Sequence, residues 1–294
     1  MKVVKNVLII IFIFTCLFIA LKLNGISFFN KNNDTIDENI EIENTKYKDY
    51  KKCKDYDLKN IDRYLLYKEK NEKIDYCDIV TYVNIGLDNK YYTNTQKTDM
   101  SYDNLILMNK YLYLDKNYIP DDLEEISSDY FIYGNTKVRM MRKEAKEAFE
   151  KLSSDSIKNG TPVYGQSGFR EYSRQKELYD YAVSTSGVKG ADKDTARPGF
   201  SEHQTGLVID VSSTKDGNML TFDKTESFKW MNDNAYKYGF ILRYPSDKVD
   251  ITGYTYESWH YRYIGVKAAT DMHDNHSDLS YDEYYYRYIK KYWF

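Results

Sequence analysis

Apolar residues recur with helical spacing at three places in the second half of the chain. The first pattern predicts an amphipathic helix over residues 137–152. The second begins at Ser173, a residue type that caps helix N-termini, and ends at Gly187. The third covers residues 228–238 and is stopped by Gly239. These three patterns predict the main helices of the fold.

Short apolar or alternating runs lie before and between these helices and predict β-strands. The strand candidates are residues 105–110, 161–164 with the residues after them up to Ser167, 207–212, 240–244 and 259–264. Residues 188–200 contain glycine, aspartate and proline without periodicity, so we expect a loop there. Helices interspersed with short strands favour an α+β fold, with a small antiparallel sheet backed by helices.

The apolar run 7–21 near the start of the chain is flanked by Lys2, Lys5 and Lys22. Neighbouring apolar residues and snorkelling lysines bring it close to the ~20 residues that span a bilayer. No small-residue cleavage signal follows, which favours an uncleaved membrane anchor over residues 1–29 rather than a cleaved signal peptide. The positive charges predict a cytoplasmic N-terminus. On either interpretation we expect the rest of the chain outside the cytoplasm.

The remaining chain divides by composition. Residues 30–52 are polar and charged, which is typical of a linker. Residues 53–103 show helical spacing at Leu58 and Ile61, and we interpret them as an N-terminal extension of unknown role. Residues 104–294 contain the stronger patterns and are predicted to be the functional domain.

Charge and cysteine content narrow the possible functions. The formal net charge is −3, and it becomes −6 when the first 29 residues, which carry three lysines and no acid, are left out. A mildly acidic body with interspersed charges offers no electrostatic footprint for nucleic acid. Cys53 and Cys77 form either a disulfide in an oxidising compartment or two unrelated thiols.

Two short segments carry the candidate chemistry. Ser201 to Asp210 has the pattern S-x-H-x-x-G-x-x-x-D, and residues 257–260 have the pattern E-x-W-H. The chain has only four histidines, and these segments hold two of them. Two histidines and an aspartate are a common ligand set for catalytic zinc, which keeps one further position open. We therefore predict that His203, Asp210 and His260 bind zinc, although each histidine alone would be an ordinary polar residue beside a turn.

Glu257 is placed to act as the general base that takes a proton from the attacking water. On an extended strand, however, Glu257 and His260 would face opposite ways. The prediction therefore requires a bend at Ser258. A second histidine pair, His273 and His276, lies in a polar stretch and is interpreted as solvated surface.

The ordered set of motifs resembles the VanY-like D-alanyl-D-alanine carboxypeptidases, zinc peptidases related to the D-Ala-D-Ala dipeptidases. The resemblance covers about residues 104–285 and includes the two segments above. The further matching positions are residues 167–170 (SGFR), Gln175, residues 196–199 (ARPG) and residues 234–240 (NAYKYGF). The sequence departs from the family at Val208, where alanine is usual, and this puts no ligand in doubt.

The resemblance implies roles for individual residues. It implies that His203, Asp210 and His260 hold one zinc ion per chain and that Glu257 is the catalytic base. Arg170 matches an arginine that stabilises the oxyanion of the tetrahedral intermediate, and a cationic donor suits that charge. The family's substrate-contacting positions are matched by Gln175 and Ser201.

The function implied is a D,D-carboxypeptidase that removes the terminal D-alanine from peptidoglycan stem peptides. An L,D-carboxypeptidase acting on tetrapeptide stems is the nearest alternative, because both substrates end in D-alanine. A catalytically silent wall-binding or sensor protein is a further alternative. The expected partners are a stem peptide and, through the N-terminal segment, the membrane.

Overall fold

The computed structural model describes residues 47–134 and 138–290. The predicted anchor and residues 30–46 of the predicted linker lie outside these ranges. Within them, no helix is both long enough and apolar enough to cross a membrane. Lys54–Phe294 form one compact unit, which contains all the elements described below.

Two helices follow the start of this unit. They are α1 (Ile61–Lys70) and α2 (Tyr76–Ile85), and they pack against each other. The helical spacing at residues 58–65 is confirmed by α1, which buries Tyr64. The side chain of Asp75 caps α2 by accepting a hydrogen bond from the Cys77 amide. Cys53 and Cys77 are both disulfide-bonded, so the interpretation as free thiols is wrong.

Residues 105–110 do not form the predicted strand. The structure has a 3-10 helix at Met100–Leu105, and nearby strands β1 (Gln96–Lys97) and β2 (Leu112–Tyr113) pair in parallel. The backbone carbonyls of residues 104–108 accept hydrogen bonds from side chains instead of a neighbouring strand. The donors are Arg262 to residues 104 and 106, Tyr281 to 105, Thr98 to 107 and Arg243 to 108. The apolar pattern correctly predicted burial but not strand pairing.

The first predicted long helix begins later than its apolar pattern suggests. Strands β3 (Leu123–Glu125) and β4 (Met140–Arg142) pair antiparallel, and helix α3 follows as Lys143–Lys158. Residues 138–142 continue the helical spacing, yet β4 pairs with β3 before the helix can start. Phe149 and Leu152 are fully buried on α3, as predicted.

A four-stranded antiparallel sheet forms the centre of the fold, with strand order β5-β6-β8-β7. Its strands are β5 (Tyr164–Ser167), β6 (Val208–Ser212), β7 (Phe240–Leu242) and β8 (His260–Tyr263). Ile209, Val211 and Tyr261 lie in the same buried cluster as Phe149 and Leu152 of α3. The α+β class and the small antiparallel sheet are therefore confirmed.

Further helices follow β5 along the chain. They are α4 (Tyr172–Asp194), α5 (Glu226–Asn234), α6 (Val249–Thr252), α7 (Val266–Asn275) and α8 (Tyr281–Tyr284). Gly187 has a φ of +67° and kinks α4 instead of ending it. The predicted loop at 188–200 is therefore wrong for its first half, which continues as helix to Asp194. The third predicted helix is confirmed by α5 and a 3-10 turn that ends at Gly239.

Candidate metal centre and active-site cleft

Strand register brings two predicted metal ligands together. Asp210 on β6 lies directly opposite His260 on β8 and opposite Ser167 on β5. Directly opposed residues in antiparallel strands present their side chains on the same face of the sheet. The three side chains therefore form a row across the sheet. We call this row, together with His203 and Glu257, the cleft floor.

His203 reaches the cleft floor from a 3-10 turn, Glu202–Thr205, that precedes β6. Gly206 ends this turn with a φ of +70°, a conformation that favours glycine. A Cβ at Gly206 would also come within 2.9 Å of the Leu123 side chain. The turn lets His203 and Asp210, seven residues apart, point to the same place.

Candidate ligand atoms of His203, Asp210 and His260 lie within 4.8 Å of one another, and all three residues are buried. His203 Nε2 is 3.3 Å from Asp210 Oδ2, and His260 Nδ1 is 3.2 Å from Asp210 Oδ1. The opposite nitrogen of His203, Nδ1, lies 2.7 Å from the carbonyl oxygen of Gly168 and can only donate to it. That contact leaves Nε2 of His203 unprotonated and able to bind a metal.

The donor set fits zinc. Two imidazole nitrogens and one carboxylate oxygen form a ligand set that is common at catalytic zinc sites. Asp210 Oδ1 is buried and has no hydrogen-bond partner within the described part of the chain, which is costly unless an ion occupies the site. Three protein ligands leave a fourth position for the reaction.

Glu257 joins this group because the chain bends where the prediction required it. Ser258 and Trp259 form a turn in which the His260 amide donates to the Glu257 carbonyl at 3.2 Å. The bend brings Glu257 Oε2 to 3.4 Å from His260 Nδ1. Burial raises the pKa of Glu257 to about 7, although His260 lowers it in part. A carboxylate so placed can exchange protons at the metal position.

Arg170 lies at the edge of the cleft floor and is held by two side chains. Its Nη1 donates to Gln175 Oε1 at 2.9 Å, and its Nη2 donates to Ser167 Oγ at 3.0 Å. Nη2 is also 3.7 Å from Asp210 Oδ2. The guanidinium group is thereby fixed beside the ligand cluster with 15% of its side chain exposed.

The two predicted substrate-contacting residues both line the cleft. Gln175 uses its amide oxygen for Arg170 and donates from Nε2 to the Ala196 carbonyl at 2.7 Å. Its observed contacts therefore hold other parts of the site in place. Ser201 is buried beside His203 and lines the same cleft.

The cleft above these residues has a volume of about 530 Å³. One side is formed by α4, residues 194–196 and Tyr254, which we call the cleft wall. Tyr181 and Ala182 of α4 contribute to it, and Tyr181 is 71% exposed. A cleft with a buried polar floor and a partly open wall suits an extended ligand whose end reaches the floor.

The cleft wall is supported by Tyr92 of the N-terminal extension and by Lys110 of the predicted functional domain, a contribution that no spacing in the sequence indicated. Buried Lys110 donates to the Asp192 carbonyl near the end of α4, and its Nζ lies 4.0 Å from the ring centre of Tyr254. The Tyr92 hydroxyl is 3.3 Å from that of Tyr254. Arg197 forms two hydrogen bonds to Asp192, at 2.9 and 2.8 Å. Arg197 is therefore engaged in holding the wall.

Glu202 is a further buried residue near the metal centre to which the sequence pattern assigned no role. It precedes His203, and its Oε1 accepts hydrogen bonds from Arg243 and Arg262, both at 2.9 Å. These arginines hold the pKa of Glu202 well below its ordinary value despite burial, which acts to raise it. In the sequence, only its position between Ser201 and His203 could have pointed to Glu202 as a residue of the site.

His273 and His276 lie away from the cleft. Their rings stack on Tyr236 and Tyr288, with centroid distances of 3.6 and 4.0 Å. Within the part of the chain that the structure describes, the only histidine-containing group with metal-binding geometry is the one in the cleft floor.

Comparison with known proteins identifies relatives of this site. The family model described as "VanY: D-alanyl-D-alanine carboxypeptidase" matches residues 138–266, which include every predicted site residue. The protein YodJ of Bacillus subtilis (strain 168), whose name describes a carboxypeptidase, is 41% identical over 214 residues. That match covers 70% of this chain and 77% of YodJ.

Two solved structures are similar in fold as well as in sequence. The LD-carboxypeptidase LdcB, whose structure concerns peptidoglycan recognition, matches with a TM-score of 0.61 and 41% identity over 67% of this chain and 92% of its own. A vancomycin-resistance D,D-pentapeptidase, VanY, solved in complex with Zn(II), matches with a TM-score of 0.51 and 32% identity. That match covers 62% of this chain and 98% of the other.

Proposed function

Because this chain belongs to the VanY family of D-alanyl-D-alanine carboxypeptidases, we propose that it removes the terminal D-alanine from peptidoglycan stem peptides. It is a metallo-carboxypeptidase of the VanY type, and its cofactor is zinc. The observation that carries the proposal is the convergence of His203, Asp210, His260 and Glu257 at one end of a cleft.

His203 Nε2, His260 Nδ1 and a carboxylate oxygen of Asp210 are the atoms that would hold zinc. When bound, zinc polarises the scissile carbonyl and increases the acidity of water. Glu257 takes a proton from the attacking water while the water oxygen bonds to the carbonyl carbon. Glu257 then delivers this proton to the departing amine nitrogen when the carbon–nitrogen bond breaks. Its position 3.4 Å from a ligand nitrogen supports both transfers.

Arg170 donates hydrogen bonds to the oxygen that gains negative charge during the attack. Ser167 and Gln175 restrict its guanidinium group before substrate arrives, which reduces the reorganisation needed in the transition state. We propose that Gln175 acts mainly by positioning Arg170 and the 196 carbonyl, while Ser201 contacts the substrate from beside His203.

The similarity to LdcB supports L,D activity on tetrapeptide stems over the D,D activity expected from the family name. LdcB matches with the higher TM-score and identity of the two solved structures compared. The cleft also extends along α4 to Asp194, and we propose that this carboxylate pairs with an amine on the penultimate side chain of the substrate. The penultimate residue of a D,D substrate is D-alanine, which has no such amine. The D,D activity remains the second candidate, supported by the family model.

Incubation of the purified, zinc-loaded chain with pentapeptide and tetrapeptide stems, read by mass spectrometry, tests these proposals. Loss of one alanine from the tetrapeptide alone is the expected result. Loss from the pentapeptide alone supports the D,D candidate. Cleavage of neither stem would refute the proposed function and revive the catalytically silent alternative, which four converging site residues otherwise disfavour.

The N-terminal apolar run and the disulfide-bonded cysteines support a location outside the cytoplasm, with the chain anchored in the membrane. Peptidoglycan stems lie in the same compartment. Fractionation of producing cells, followed by protease treatment of intact protoplasts, tests this proposal. We expect the chain in the membrane fraction and degraded by external protease, whereas a protected chain would contradict an external location.

A further inference from the structure

Glu202 lies directly behind the metal ligand His260. Its side chain is fully buried, and its Oε2 is 3.5 Å from His260 Nε2. Neither atom has a hydrogen-bond partner among the described residues. A buried carboxylate oxygen and a buried ring nitrogen that face each other are both satisfied by one shared proton.

The orientation of the His260 ring decides which nitrogen carries that proton. Its Nδ1 faces Asp210 and Glu257, at 3.2 and 3.4 Å, and is therefore the nitrogen on the metal side. A metal-binding nitrogen must be unprotonated, so the proton lies on Nε2, towards Glu202. In His203 the proton lies on Nδ1, where the Gly168 carbonyl accepts it, and Nε2 is left for the metal. Each histidine of the site thus has its own acceptor behind it.

Glu202 is itself held rigidly by charge pairs. Its other oxygen, Oε1, accepts from Arg243 and Arg262, and Arg243 also donates to Asp282 at 2.7 Å. Asp282 in turn accepts from Asn109 at 2.8 Å. Two arginines and two carboxylates balance in charge, which lowers the cost of burying them. The arrangement fixes Oε1 and leaves Oε2 directed at His260.

We propose that Glu202 is a positioning residue that accepts the Nε2–H of His260, fixes the ring with Nδ1 towards zinc, and thereby raises zinc affinity. A carboxylate behind a ligating histidine also makes the ligand more basic. The inference rests on the proposed function only in taking zinc as the bound ion.

Glu202→Gln tests the proposal through zinc affinity, measured by competition with a chromogenic chelator on the purified chain. Loss of such a partner typically costs about 10–100-fold in metal affinity, and we expect a rise of the zinc Kd in that range. In zinc-loaded protein with ¹⁵N-labelled histidine, the Nε2–H resonance of His260 should also shift in this variant.

Asp282→Asn is the matched control. It removes the other carboxylate of the same charge cluster, but Asp282 contacts Arg243 and Asn109 and no ligand. Both variants should lower the melting temperature of the metal-free chain, because each leaves a buried arginine short of a partner. Only Glu202→Gln should weaken zinc binding. Equal zinc Kd values for the two variants, within about twofold, would overturn the proposal and reduce Glu202 to a counter-ion for the arginines.

Glu202→Asp keeps the charge between the arginines and withdraws the carboxylate by one methylene, so it serves if Glu202→Gln does not fold. We expect a zinc Kd above that of the wild type, and an unchanged Kd would overturn the proposal. Because these readouts are affinity and resonance position, they are independent of turnover. A wild-type chain that binds zinc but cleaves neither stem would refute the proposed function and leave the role of Glu202 intact.

Discussion

In the cleft floor, main-chain pairing between neighbouring strands sets Asp210 opposite Ser167 and His260, whereas the cleft wall is held by side chains from distant segments. Wall contacts include Lys110 to the Asp192 carbonyl and the Thr255 hydroxyl to Asp194 at 2.8 Å. The floor is buried, but Tyr181 and Val188 of α4 are 71% and 51% exposed.

This difference suggests that the floor serves the catalytic step and the wall serves the choice of substrate. A register-fixed floor holds reacting groups to the sub-ångström precision that bond rearrangement requires. A wall held by individual side-chain hydrogen bonds can vary without disturbing the ligand set. We therefore expect changes in the floor to lower kcat strongly, and changes in the wall to alter KM or substrate preference modestly.

The largest expected effect comes from Glu257→Gln in the floor. The variant keeps the shape of the side chain but removes the proton acceptor, so kcat should fall by about 10²–10⁴-fold. Zinc content, measured by atomic absorption, should stay at one ion per chain. Glu177→Gln, at an exposed glutamate of α4 paired with Arg174, is the control and should leave kcat unchanged. Near wild-type turnover by Glu257→Gln would show that another group is the base.

Arg170→Lys should lower kcat by about 10²–10³-fold, which is the usual cost of losing a donor to a developing oxyanion. A lysine cannot reproduce the planar fork that bonds Ser167 and Gln175 together. Steady-state kinetics should show the loss in kcat with little change in KM. The same substitution at exposed Arg174 provides the comparison. If the loss appears only in KM, Arg170 binds the substrate and does not support the oxyanion.

Lys110→Met changes the support of the wall without touching the floor. It removes the hydrogen bond to the Asp192 carbonyl and the cation beside Tyr254. One hydrogen bond contributes about 0.5–1.5 kcal/mol, so kcat/KM should fall by roughly 2- to 10-fold, mainly through KM. Zinc affinity should not change. Lys189→Met, at an exposed position of α4, is the control. A loss of zinc from Lys110→Met would contradict the independence of floor and wall.

The smallest expected effect comes from Asp194→Asn at the rim of the wall. Asp194 is exposed, and an exposed ion pair contributes at most about 1 kcal/mol, so KM should rise by roughly fivefold or less. The rise should occur for stems with a free amine on the third residue and not for stems in which that amine is acetylated. Asp180→Asn, elsewhere on α4, is the control. Equal KM changes for both stems would show that Asp194 does not recognise the amine.

Spacing in the sequence predicted much of the floor. His203, Asp210, Glu257 and His260 all lie in short motifs, and the strand containing Asp210 follows from its alternation. The bend at Ser258 could be named as a requirement because residues three apart on a strand face opposite sides. Its existence depended on the Glu257–His260 turn, which the folded chain supplies.

Prediction from residue spacing failed where hydrogen bonds to distant parts of the chain replaced the predicted local structure. Residues 105–110 have the apolar pattern of a strand. Their backbone carbonyls nevertheless accept hydrogen bonds from Arg243 and Arg262, which lie more than 130 residues away in the chain. Residues 138–142 continue a helical pattern, yet β4 pairs with β3. Tertiary hydrogen bonds overrode local preference in both places.

The sequence by itself determined the family and the α+β class, and it predicted the residues that we propose as zinc ligands and base, because these depend on residue types at short, fixed separations. Only the tertiary structure decided that Nδ1 of His260 faces Asp210 and Glu257, that Glu202 lies behind the ring, and that Lys110 and Tyr92 support the cleft wall. Those relations join residues far apart in the chain. Their physical basis is the satisfaction of buried polar groups, which depends on which segments the fold brings into contact.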